Sequence, residues 1–286
     1  VEDGFSYAWI AKAIVYGLAQ LAIGATVARR LASRPSPAAP PEWNRWLIRL
    51  ARAVACLLVA GLMARLWVQT ASAFGPDEVF TPGNLRIVAL ESQWGEGWRL
   101  QVAAAAAMLV SAWLVPVWRP GWWAFEACAV GFSLAIPMLG HAAGSASRHV
   151  VHAVHALGAG AWVGTLGVMT LAAWSQRAQR GKPNILAELV SRFSPLALAA
   201  AVVVAVSGSV AAWLYVGSWM SLGTTTYGRL LLLKLFFVAC VAACGRANWR
   251  DARNNRPPRR TLMTLEYLAA LIAIAMTGVL TETEQP

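Results

Sequence analysis

Charge is what this 286-residue sequence has least of: only 13% of its residues are Asp, Glu, Lys or Arg, against about 25% in soluble domains. That deficit excludes an ordinary water-facing surface. With 58% hydrophobic residues and a mean hydropathy of +0.53, it places the chain in a membrane. Cysteine is sparse as well. Cys56, Cys128, Cys240 and Cys244 lie inside apolar runs without CxxC spacing, which argues against a disulfide framework. The sequence shows no Walker A loop and no soluble nucleotide domain, so ATP-driven pumping is not expected, and the chain reads as a non-enzyme. No short cleavable signal peptide is read, because the first apolar segment is long enough to span; Val1 is not an initiator methionine. Histidine is missing everywhere except one fifteen-residue window.

What is present is a series of apolar runs. They predict an all-α polytopic membrane protein of about eight transmembrane helices, over 7–28, 47–70, 98–118, 122–140, 150–174, 192–216, 228–247 and 262–281. Each is close to the roughly twenty residues needed to cross a bilayer. The segments RPSPAAPPE and RNNRPPRR are loops, since proline and arginine at that density oppose a membrane helix. The net charge of +11 and the pI near 10.4 do not point to nucleic acid, because the basic residues sit in the short connections.

Those connections give a direction. Seventeen of the 24 basic residues follow spans 1, 3, 5 and 7: Arg29, Arg30, Arg34, Arg45, Arg49, Arg52, Arg119, Arg177, Arg180, Lys182, Arg192, Arg246, Arg250, Arg253, Arg256, Arg259 and Arg260. The opposite side collects Glu2, Asp3, Asp77, Glu78, Glu91, Glu96, Glu282 and Glu284. The positive-inside rule puts both termini outside, which is the periplasm in a Gram-negative cell, with the histidine window on the same side. Correspondences at an offset of 140 residues, Glu126 with Glu266 and Lys12 with His152, support a single integral membrane domain built as a 4+4 parallel repeat, with halves 1–140 and 141–286.

The histidines are His141, His149, His152 and His155, in GHAAGSASRHVVHAVH. His152 and His155 are three residues apart and share a helix face, His149 lies one turn further out, and the short loop GSASR returns His141 to the same rim. Met138 stands one turn below His141. Imidazole and thioether together suit copper, Cu⁺ or Cu²⁺. Interfacial histidines that only meet water are the bland alternative, and His149 fits it best.

The same face continues through Gly158, Trp162, Leu166 and Met169, with Gly158, Gly160 and Gly164 allowing close helix approach. All four cysteines fall in the half of the membrane away from the histidines. Cys240 and Cys244, four residues apart, form a speculative thiolate exit, set against their use as small hydrophobes. Glu126 and Glu266 sit about one turn from the inner boundary, where Arg119 or Arg250 would pair with them, and Arg65 reads as snorkelling.

GHAA at 140–143, HAVHALGAGAWVGTLG at 152–167, RFSPLALAAAVVVAVSG at 192–208, TTTYGRLLLLK at 224–234, Asn248 and Glu266 occur in order. With this set the chain resembles the CopD family of bacterial copper-resistance membrane proteins. The resemblance covers about 120–282 well; the first 120 residues fit by span count and by WGEGWR. It implies an eight-helix inner-membrane protein that moves copper inward and works with a periplasmic copper-binding partner of the CopC type. Such a partner is expected to be a separate protein, because no fused β domain is read here. Delivery by it is favoured over scavenging, since the long outer loop 71–97 has no methionine.

Three functions follow: a copper permease; a membrane b-type haem electron-transfer protein with His141 and His155 as axial ligands; and a copper-binding sensor or assembly factor that does not transport.

Overall fold

The computed structural model describes residues 8–33, 41–139, 145–175, 185–216, 218–254 and 259–283. Among them there is no strand. The chain runs through α1 (Ala8–Ala32), α2 (Pro41–Phe74), the short α3 (Pro82–Arg86), α4 (Gln93–Leu114), α5 (Gly121–Ala135), α6 (Ala146–Ala159), α7 (Thr165–Ser175), α8 (Ile185–Val216), the one-turn α9 (Ser221–Thr224), α10 (Thr226–Arg253) and α11 (Arg260–Leu280). A 3₁₀ turn, Ile136–Leu139, extends α5, and a π turn, Gly160–Gly164, joins α6 to α7.

Seven of these stretches among the described residues are long and apolar enough to cross a membrane, and the protein is an all-α polytopic membrane protein. The span expected at 98–118 is α4. It has the length, but it carries Glu96, Arg99 and Gln101 in its first turns and is less apolar than the others. Ser92 starts it as an N-cap, its Oγ accepting from the Gly95 amide at 2.9 Å.

Successive long helices alternate in direction, and side chains tie their ends together. Lys12 pairs with Glu282, joining the start of α1 to the end of α11. At the other end Arg30 pairs with Glu126 at 2.7 Å, and Arg192 donates to the Leu31 carbonyl at 2.8 Å. The expected partner of Glu126, Arg119 or Arg250, is replaced by Arg30, because α1 ends beside the first turn of α5. Arg65 does not snorkel: it is buried, and its Nη1 donates to Gln101 Oε1 at 3.4 Å. Gln101 in turn donates to the Ala135 carbonyl at 3.1 Å, so each member of this buried group has a partner.

Helix α1 is the centre of the bundle, packed on α2, α5, α7, α11 and the π turn. Its buried face is small (Ala19, Ala22, Gly24, Ala25 and Ala28), which suits helix contact in lipid, where close van der Waals packing drives association. At Gly24 and Gly164 the two backbones touch; a Cβ on either would overlap the other helix's main chain. The span expected over 150–174 is found as Ala146–Ser175; within it a π turn lies between α6 and α7, and its glycines lie against Ile23, Gln20 and Gly24 of α1. At the periphery, α8 and α10 expose Leu198, Val206, Leu232, Leu235 and Phe236, an apolar surface fitted to lipid.

Candidate functional site

A cavity of about 230 Å³ lies at the end of the bundle that carries the start of α1 and the end of α11. His152 and His155 both line it from α6, one turn apart. The local sequence places them there because Gly158, one turn further on, packs against Val203 and Val204 of α8 and holds the two helices together. Tyr16, Tyr215, Tyr227, Lys12, Lys234 and Gln20 are among its other polar groups, the Gln20 side-chain oxygen being buried without a hydrogen-bond partner, and among the described residues no carboxylate lines it.

Both imidazoles are oriented by α8. His155 Nδ1 is 3.1 Å from Ser207 Oγ. The Ser207 hydroxyl donates its one proton to the Val203 carbonyl at 2.6 Å, so toward the ring its oxygen accepts. The neutral His155 ring therefore carries its proton on Nδ1 and keeps a lone pair on Nε2. His152 Nε2 is 3.0 Å from the Tyr215 hydroxyl, with the rings 5.5 Å apart. The Arg148 guanidinium lies over the Tyr215 ring, 5.5 Å from its centroid. Hydrogen bonding of one ring nitrogen to a fixed partner is the usual support of a metal-ligating histidine. Neither Ser207 nor Tyr215 stands out in the sequence; the only signal is a hydroxyl in an otherwise apolar span.

The other sequence candidates distribute differently. His141 lies outside the described residues. His149 is half-buried and does not line the cavity. Met138 is not in the lining either; its Cβ packs at Gly97 of α4. Among the described residues no three of His, Cys, Asp and Glu come together as a ready metal cage. The haem reading pairs His155 with His141, which lies outside the described residues, and it gains no support here. Cys240 and Cys244 are free and half-buried on α10, at electrostatic range of one another, with Glu266 near Cys244.

A second cavity, of about 720 Å³, lies toward the opposite end, between α7, α8, α10 and α11. Trp162, Leu166 and Met169, singled out as the inward continuation of the histidine face, all line it. So do Met263, Asn248 and Glu266. Glu266 is 4% exposed and accepts from Asn248 Nδ2 at 2.7 Å rather than from an arginine.

Two family models match the chain: "Copper resistance protein D-like, N-terminal domain" over residues 6–150, half of the chain, and "Copper resistance protein D" over residues 187–281. The chain is similar to the copper transport protein CutJ of Bacillus subtilis (strain 168), with 28% identity over 239 residues, 79% of this chain and 43% of that protein. It thus spans less than half the length of the curated relative it matches. No solved structure matches.

Proposed function

Because the chain belongs to the copper resistance protein D family, we propose that it carries copper across the bacterial inner membrane, from periplasm to cytoplasm, with His152 and His155 as the first station. The observation that carries this reading is the fixed His155 ring, whose Nδ1 is committed to Ser207 and whose Nε2 is left to coordinate. His152 adds its Nδ1 when its Nε2–H donates to Tyr215. Imidazole suits copper in either oxidation state. Met138 and His141, the latter outside the described residues, are proposed as capture ligands that hand the ion to this pair, with His149 as a further candidate.

Orientation rests on charge. The end of the bundle away from the histidines carries Arg29, Arg30, Arg45, Arg49, Arg52, Arg119, Arg192, Arg246, Arg250 and Arg253, which the positive-inside rule assigns to the cytoplasm. The histidine cavity and both termini then face the periplasm, where a CopC-type protein delivers the metal. The 4+4 parallel build is part of the same proposal. Bare copper in hydrocarbon is prohibitively costly, so the ion moves between liganded stations, along the α6–α7 line that touches both cavities.

Copper flux into proteoliposomes tests this. Flux by the wild-type protein that falls to background in His152→Ala and His155→Ala supports the permease. Bound copper without flux in the wild type would replace transport with sensing or assembly, and flux unchanged in both variants would remove these histidines from the path.

A further inference from the structure

The second cavity differs from the first in carrying a carboxylate and two thioethers. Its deepest polar groups are acceptors: the Glu266 carboxylate, and the Asn248 side-chain oxygen, which is buried with no hydrogen-bond partner. Asn248 spends its amide on Glu266 Oε2, which turns its own oxygen away from that bond. An acceptor left buried and unpaired is unfavourable, and beside the Glu266 carboxylate this oxygen is free to take a cation or a donor. Gly245 keeps the other carboxylate oxygen reachable, since a Cβ there would come within 2.9 Å of Glu266 Oε1.

Two thioethers face the same space. Met169 and Met263 are 2% and 1% exposed and both line the cavity. The helices bearing them meet at this level, where Thr170 Oγ1 lies 3.5 Å from the Met263 carbonyl. Thioether sulfur selects Cu(I) over the harder divalent ions. One carboxylate with one monovalent copper gives a neutral site, which removes most of the cost of holding an ion at this depth.

We propose that Met169, Met263, Glu266 and the Asn248 oxygen form a second metal site, selective for monovalent copper. It rests on the reading of copper as cargo and deepens it: the ion, carried as Cu(I) throughout so that no electron transfer is needed, leaves the imidazoles for thioether and carboxylate ligands. Arg246, exposed in the same lining, marks the side on which the site opens. The cysteine pair on α10 does not line this cavity and is not part of the site.

Cu(I) binding to the detergent-purified full chain, by competition with a chromophoric Cu(I) chelator and by X-ray absorption, tests the site in a background with all four cysteines, Cys56, Cys128, Cys240 and Cys244, replaced by serine, which removes thiol sulfur. In that background the His152→Ala/His155→Ala protein is expected to retain one Cu(I) with sulfur neighbours. Adding Met169→Leu/Met263→Leu, a swap of similar volume, is expected to abolish the sulfur signal and weaken binding at least tenfold; Glu266→Gln is expected to weaken it while the sulfur signal persists. Retention of the signal after both methionines are gone would overturn the site. So would loss of flux in Glu266→Gln with Cu(I) affinity unchanged, which would make Glu266 a proton carrier instead. Failure of the histidine variants to alter flux bears on the docking station alone, and so separates the two readings.

Discussion

The two cavities are lined by the same bundle and share the α6–α7 line, yet they differ in charge and in ligand type. The first presents ring nitrogens, three tyrosine hydroxyls, the unpaired Gln20 amide oxygen and two lysines, and among the described residues no carboxylate lines it. The second presents a carboxylate, an unpaired amide oxygen and two thioethers. A cation entering the first meets the Lys234 ammonium and is held only by directed lone pairs. In the second it meets a countercharge. On the proposed copper reading, attraction for a cation is expected to rise from the first cavity to the second, where a carboxylate supplies a countercharge.

Removing the first cavity's ligands is the largest intervention. His152→Ala or His155→Ala is expected to lower copper affinity at the docking site at least a hundredfold while the protein still folds, since both rings border open space. Equilibrium binding with a thermal unfolding control reads this, and wild-type stoichiometry in both variants would dismiss the site. Ser207→Ala leaves the ring in place but frees its tautomer; loss of such a supporting hydrogen bond typically weakens a metal site 10–100-fold. About tenfold is expected here, with Ser207→Thr restoring most of it.

Lys234→Gln sharpens the comparison from the other side. Taking a positive charge out of the first cavity is expected to tighten copper docking about tenfold, which corresponds to about 1.4 kcal/mol, and to shrink the affinity gap between stations. Weaker docking in this variant would make Lys234 a helper of the cargo rather than its opponent. The smallest effect is expected from Cys240→Ser/Cys244→Ser: docking affinity unchanged and inward transfer slowed by a few-fold at most, measured by flux. Unchanged transfer would remove the thiol pair from the path altogether.

The architecture was legible because membrane insertion leaves a coarse signal: apolar length sets the spans, and the hydropathy of α1, α2 and α5 to α11 carries it without reference to packing. The α4 segment was harder, because part of its polarity is satisfied internally, through Gln101 and Trp98, whose Nε1 donates to the Leu62 carbonyl at 2.9 Å. His152 and His155 were visible as a pair because they are neighbours on one helix. Their supports were not, since Ser207 and Tyr215 are 52 and 63 residues away, and a hydroxyl in an apolar helix ordinarily bonds its own backbone. The Arg30–Glu126 pair spans 96 residues for the same reason: ion partners are chosen by which helix ends are adjacent, and charge spacing along the chain does not encode that. The convergence of Met263 and Asn248 with Met169 and Glu266 required knowing that α7, α8, α10 and α11 enclose a common space.

The π turn at Gly160–Gly164 sets the angular phase of everything after it. One residue more than a regular helix would hold rotates the following segment by about 100°. Ala159, just before the turn, borders the histidine cavity, while Trp162, Leu166 and Met169, within and after it, border the other. The chain therefore aims two faces of one continuous helix at two differently placed rooms, and a single-residue deletion between 160 and 164 would leave the imidazoles where they are while swinging the Met169 sulfur out of register with Met263.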